Sequence, residues 1–177
     1  LGCRLALPPE LERELTVMLL VDFSGSGSFG SATALKSEIA AEICAVLAFS
    51  AIKNNDKVGL LLFTDRIEKF LPPKKGRAHI LRIIRELISF RPEGSRTNLR
   101  EALEYFNHVT KKRSIAFILS DFLDTGYDRI LRVVSRKHDL IAVEISDPRE
   151  ETLPSAGMIK FRDAETGEER WIDSSDD

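Results

Sequence analysis

Two short apolar runs, each ending in an aspartate, constrain this chain more than any other feature. Thr16-Val-Met-Leu-Leu-Val21 runs into Asp22, and Ser114-Ile-Ala-Phe-Ile-Leu-Ser120 runs into Asp121. Unbroken apolar runs of this length suit strands buried on both faces, the condition found in parallel sheets covered by helices. Longer segments of helical period separate them. Leu35, Ile39, Ile43, Val46, Leu47 and Phe49 follow helical spacing between Ala32 and Lys53, and Asn54-Asn55-Asp56 ends that helix with turn chemistry.

The rest of the chain keeps the alternation. Lys57 to Phe63 reads as a second buried strand and Ile67 to Leu71 as a third. The Thr64-Asp65-Arg66 link is too short for a parallel crossover, so this pair is expected as an antiparallel hairpin. Pro72-Pro73 closes it, as suits an edge strand. Helices are expected over Gly76 to Phe90 (apolar face Ile80, Ile83, Ile84 and Leu87), Thr97 to Val109, and Tyr127 to Lys137. Asp139 to Ile145 and Gly157 to Phe161 read as the fifth and sixth strands, and the acidic end from Asp173 to Asp177 as frayed.

Strands alternating with helices predict an α/β domain of doubly wound, Rossmann-like type: a mostly parallel sheet, one antiparallel edge strand, and helices on both faces. Residues 1–13 are a lead-in, and 14–177 form one domain with its core at about 14–146 and a C-terminal extension at 147–177. In such sheets ligands bind beyond the carboxyl ends of strands, where strand order reverses. If the strands ending in Asp22 and Asp121 are neighbours there, their carboxylates converge.

The residues after Asp22 add chemistry. Asp22-Phe-Ser24-Gly-Ser26 spaces three oxygen side chains two residues apart, and a loop leaving a strand can turn alternate side chains to one side. Gly25 and Gly27 allow a tight turn there. Thr97, after the Gly94-Ser95-Arg96 loop, and Asp121 supply two further oxygens. With no thiolate or imidazole, such a set suits Mg²⁺, Mn²⁺ or Ca²⁺ rather than zinc or copper.

Rival readings share these residues. Gly25, Gly27 and Gly30 fit a dinucleotide-binding G-x-G-x-x-G loop after a strand. That reading lacks the acidic residue expected at the end of the second strand, since Asp65 comes too late, and it places Asp22 beside a diphosphate. A phosphoryl-transfer enzyme with Asp22 as nucleophile lacks a second aspartate, because Ser24 stands where it would be. Alternatively, Asp22, Ser24 and Ser26 cap the following helix, Thr97 caps its own, and Asp121 holds its loop.

Asp22-Phe-Ser-Gly-Ser26 together with Thr97 and Asp121 resembles the metal-ion-dependent adhesion site of von Willebrand factor A domains, over about Thr16 to Ile145. Ala48-Phe49-Ser50, Phe90-Arg-Pro-Glu-Gly94, Leu119-Ser-Asp-Phe-Leu-Asp124, Asp147-Pro-Arg-Glu150 and Glu165-Thr-Gly-Glu168 are similar to a bacterial subgroup of unknown function often encoded beside MoxR-type AAA+ ATPases. The resemblance implies that Ser24 and Ser26 bind the metal directly, and Thr97 directly or through water. Asp22 and Asp121 would act through bound waters, leaving one position open for an aspartate or glutamate of a partner protein. Gly27 stands where many relatives carry a larger apolar residue, which loosens the loop without removing a ligand. The implied function is a Mg²⁺-dependent (or Mn²⁺- or Ca²⁺-dependent) protein-interaction module, not an enzyme, within a MoxR-linked assembly.

Composition narrows the remaining classes. A 177-residue chain with 43% apolar and 31% charged residues can bury a proper core, and its net charge of −2 calls for neither nucleic acid nor an anionic membrane. The basic run Lys111-Lys112-Arg113 reads as a solvated helix end. No apolar stretch approaches the roughly 20 residues of a membrane span, and the N-terminus lacks a signal-peptide pattern. The expected location is therefore cytoplasmic, or the cytoplasmic part of a membrane-anchored parent chain. Cys3 and Cys44 are too few for a disulfide framework, and Cys44 reads as a small buried hydrophobe. His79, His108 and His138 are too scattered for a zinc site, and Trp171 is expected to pack the C-terminal tail.

Overall fold

The apolar runs become the interior strands of a five-stranded sheet in the order β3-β2-β1-β4-β5. In the computed structural model, which describes residues 14–24, 30–146, 157–162 and 169–173, β1 (Thr16–Asp22) leads through α1 (Gly30–Lys53) to β2 (Lys57–Phe63). Then come β3 (Ile67–Lys74), α2 (Arg77–Ser89), α3 (Leu99–Val109), β4 (Ile115–Ser120), α4 (Asp128–Lys137) and β5 (Asp139–Glu144). β1 is parallel to both β2 and β4, β4 is parallel to β5, and β3 alone is antiparallel. From β1 the chain winds outward to β2 and β3, then returns to lay β4 on the other side. The β1/β4 boundary is thus the switch point of the expected doubly wound fold.

Each face of the sheet has its own core. Val17, Leu19, Val21, Leu60 and Leu62 pack beneath α1 and α2, while Met18, Leu20, Leu61 and Phe63 pack beneath α3 and α4. This strict division follows from side chains alternating along a strand. Burying a side chain such as Phe63 or Leu20 contributes about 1.5–3 kcal/mol. No helix among the described residues is long and apolar enough to cross a membrane.

One detail settles what the spacing left open, and three depart from expectation. The face that α1 turns to the sheet is Ala40, Cys44, Ala48 and Ala51, whereas Ile39, Val46 and Phe49 are at least 39% exposed. Small residues let the helix lie close to the strands, so the bulkier apolar side chains point aside. Burial also pushes the Cys44 thiol up to about 12. β3 continues through Pro72-Pro73 to Lys74, which an edge strand tolerates because no neighbour needs the missing N–H groups. α3 begins at Leu99 rather than Thr97, because the Asn98 side chain caps it by accepting from Glu101 N–H at 3.0 Å. Finally, Met158–Arg162 (β6) pairs with an unanticipated strand, Glu169–Asp173 (β7), in a separate antiparallel hairpin. Trp171 lies on it, 64% exposed.

Candidate functional site

Parallel pairing with Val21 opposite Leu119 makes Asp22 and Ser120 emerge side by side at the carboxyl end of the sheet. The Ser120 hydroxyl donates to Asp22 Oδ2 at 2.7 Å, and the Ser24 N–H donates to Asp22 Oδ1 at 2.9 Å. Ser120 Oγ in turn accepts the Phe122 N–H at 3.1 Å. Phe122 holds φ at +57°, a left-handed conformation uncommon outside glycine, where the chain turns away from β4. Each oxygen of the Asp22 carboxylate is therefore oriented by a separate donor before any ligand arrives.

The electrostatics of that carboxylate are unusual. Desolvation pushes its pKa up to about 6, against the hydrogen bonds from Ser120 and Ser24, and the neighbouring Asp121 adds a smaller push in the same direction. Asp121 is half-buried, and its Oδ1 accepts the Leu123 N–H at 3.3 Å. A desolvated carboxylate beside a second one is a place where added positive charge is stabilising.

The loop joining α2 to α3 forms the opposite wall. Phe90 packs edge-to-face on Phe23 at 4.9 Å between ring centroids. The Glu68 carboxylate on β3 accepts the Thr64 hydroxyl at 2.8 Å and the N–H groups of Glu93 at 3.1 Å and Gly94 at 2.8 Å. A Cβ at Gly94 would collide with Thr64 and Asp65, so glycine is needed where this loop closes on the turn between β2 and β3. Asp124 ties the far end by accepting the Leu99 N–H at 2.8 Å. Between the strand ends and this loop lies a cleft of about 430 Å³, lined by Asp22, Ser24, Ser120, Asp121, Phe90 and Gly94 among others.

Of the five expected ligands, Asp22, Ser24 and Asp121 therefore meet at one cleft. Ser24 is 6% exposed. Thr97 is half-buried at the end of the facing loop and is not among the cleft-lining residues. Ser26 lies outside the described residues, as do Gly25 and Gly27. Among the described residues no group of three His, Cys, Asp or Glu side chains could hold a metal, so a cation here would depend on hydroxyl oxygens. That donor set, hard oxygens around an oriented carboxylate, fits Mg²⁺ or a similar ion. Ser120 and Glu68 escaped the sequence reading. Ser120 is the last residue of the run that predicted β4, and only the β1/β4 register shows its partner; nothing in the sequence singles out Glu68.

With this geometry in place, relatives give the chain a family. A model described as "Protein of unknown function DUF58" matches residues 8–177. The chain belongs to the DUF58 family. The uncharacterized protein Rv1480 of Mycobacterium tuberculosis strain H37Rv is 32% identical to this DUF58 chain over 159 residues, covering 88% of the chain and 50% of the relative. The chain thus spans about half the length of that curated relative. Among solved structures, an aerotolerance-related membrane protein from Bacteroides fragilis superposes with a TM-score of 0.65 at 18% identity, over 90% of this chain and 81% of that one. BatB from Bacteroides thetaiotaomicron gives 0.61 at 15% identity, over 88% and 75%. At these identities the likeness is one of fold.

Proposed function

We propose that this DUF58 domain is a von Willebrand factor A-like interaction module whose adhesion site holds Mg²⁺ or a similar hard cation and captures an aspartate or glutamate of a partner protein. The observation that carries this reading is the Asp22 carboxylate, mostly withdrawn from water at the switch point, oriented by Ser120 and Ser24, and placed beside Asp121. Ser24, Ser26 and Thr97 would supply hydroxyl ligands, and Asp22 and Asp121 would orient bound waters. A bound cation would supply the positive charge that draws an incoming carboxylate. The residues of this chain do the rest: Ser120 and the Ser24 N–H fix Asp22, Glu68 holds the facing loop, and Asp124 anchors the segment bearing Thr97.

The domain acts by binding rather than catalysis in this reading, with Ser120 spent on orienting Asp22. The partner would belong to a MoxR-type AAA+ ATPase assembly, a link that rests on the resemblance described above. Calorimetric titration of Mg²⁺ and Mn²⁺ into metal-stripped protein tests the site. Saturable binding is expected, weakened about 10–100-fold by Asp22→Ala and by Asp121→Ala, as for groups that act on a metal through its waters. Adding acetate or glutamate should tighten binding by filling the open position. A folded wild type that binds neither cation, with or without acetate, would sink the proposal.

A further inference from the structure

Helix α4 turns Ile130, Leu131 and Val134 inward against the sheet. Arg129, Arg132 and Arg136, spaced three and four apart, share the opposite face with Val133, which is 48% exposed. The Lys137 ammonium clamps the end of this helix to the turn before β4, donating to Thr110 O at 2.8 Å and Asn107 O at 3.2 Å. Lys111 and Lys112, both exposed, lie in that same turn. The third member of the basic run is different, since Arg113 is neutralised by a two-pronged pair with Asp139 at 2.7 and 3.2 Å.

None of Arg129, Arg132, Arg136, Lys111 and Lys112 forms an ion pair with a described residue; Lys53, Arg77 and Arg85 lack one too, so what sets the ridge apart is the spacing of its three arginines along one exposed helix face. The chain carries a formal net charge of −2, so this is local segregation of charge rather than general basicity. The row is also narrow. α4 packs against α3 and β5, which carry the exposed carboxylates Glu101 and Glu144, while Glu104 and Asp139 are paired with Arg100 and Arg113. A broad anionic plane laid across it would meet those carboxylates. A single acidic strand running from Arg129 toward Arg136, away from exposed Asp128 in the first turn of the helix, would not, and the arginine forks match carboxylate geometry.

We propose that the exposed ridge of α4, extended by Lys111 and Lys112, is a docking strip for an acidic polypeptide segment in extended conformation. The rise from Arg129 to Arg136 is about 10 Å, a length covered by three or four extended residues. The strip needs no metal and stands independently of the adhesion-site reading, so it is tested in EDTA.

The probe is a short fluorescein-labelled oligoglutamate peptide, followed by anisotropy against the full chain at low ionic strength. Binding is expected, and the combined variant Arg129→Gln, Arg132→Gln and Arg136→Gln should weaken it about tenfold, the sum of three exposed ion pairs. Arg132→Gln alone should weaken it about twofold. A control removing equal charge elsewhere, Lys53→Gln with Arg77→Gln and Arg85→Gln, should leave affinity unchanged. Equal loss in both combined variants would reduce the effect to net charge and overturn the strip. So would absence of peptide binding, alone or with capture by vesicles of mixed phosphatidylglycerol and phosphatidylcholine, which would point to a membrane surface.

Discussion

Asp22 and His138 are withdrawn from water at opposite edges of one sheet, and the fold treats them differently. Asp22, at the carboxyl end of β1, has both oxygens engaged by donors from Ser120 and Ser24. His138, just ahead of the amino end of β5, is 1% exposed, yet neither ring nitrogen has a hydrogen-bond partner. Its ring instead packs against Phe106 at 4.7 Å between centroids. Both groups are pressed toward their neutral forms, chiefly by desolvation. The edge with the arranged partners is the one where strand order reverses, where a ligand would be met. At the other edge an imidazole serves as an aromatic filler. Burial alone does not mark a site; burial with preset polar partners facing a cleft does.

The largest effect that would sharpen this contrast lies in the pH dependence of the metal-free protein. In the folded state Asp22 titrates at about 6 rather than 3.8. Between those values the folded chain keeps a proton that the unfolded chain has released, so Asp22 lowers stability as pH rises from about 4 to about 6. Fully expressed, the displacement corresponds to about 3 kcal/mol, an upper figure because the cleft admits water. Asp22→Asn removes the titration. Urea unfolding in EDTA should show the variant gaining on the wild type across that window. Parallel stability curves would mean that Asp22 is solvated like an ordinary surface acid.

Ser120→Ala tests whether the preset partners matter. It leaves Asp22 Oδ2 without its 2.7 Å donor and the Phe122 N–H without an acceptor, a loss of about 1–3 kcal/mol. Ser135→Ala is the control, since that hydroxyl is exposed and bonds only to its own helix, and it should cost under about 0.5 kcal/mol. Thermal melts of the two variants at neutral pH suffice. If they melt together, the Ser120 hydroxyl does not hold Asp22 in the way described here.

What the sequence disclosed and what it hid divide along the same physical line. Strands buried on both faces leave continuous apolar runs, so β1, β2 and β4 were legible, and with them Asp22 and Asp121 at adjacent strand ends. The role of Ser120 depends on a register between residues 98 apart in sequence, which no local pattern encodes. On α1 the apolar spacing locates the helix but not its face, because close packing on the sheet selects Ala40, Ala48 and Ala51, which add little to an apolar pattern. Thr97 and Asn98 are both good caps, and only the hydrogen bond to Glu101 N–H decides between them. β7 carries no continuous apolar run, because Glu169, Arg170 and Asp173 leave only Trp171 and Ile172 as apolar residues in a charged tail.

The smallest expected effect is at His138, and its sign is opposite to that of Asp22. Desolvation, with Lys137 nearby, holds the folded imidazole below its ordinary 6.5, and Asp139 only partly offsets this. Below about pH 6.5 the unfolded chain therefore takes up a proton that the folded chain refuses, and stability is lost as pH falls. Over part of the same range Asp22 gains stability from acid, so the two residues partly cancel in the wild type. His138→Phe keeps an aromatic ring against Phe106 and removes two buried nitrogens that lack partners. At neutral pH it should change stability by less than about 1 kcal/mol. Its advantage should grow as pH falls toward 5, and the opposing His138 contribution should then be gone from the remaining pH dependence. A difference between variant and wild type that stays constant from pH 8 to pH 5 would mean the imidazole reaches solvent or a partner when protonated, and His138 would no longer serve as the packing counterpart to Asp22.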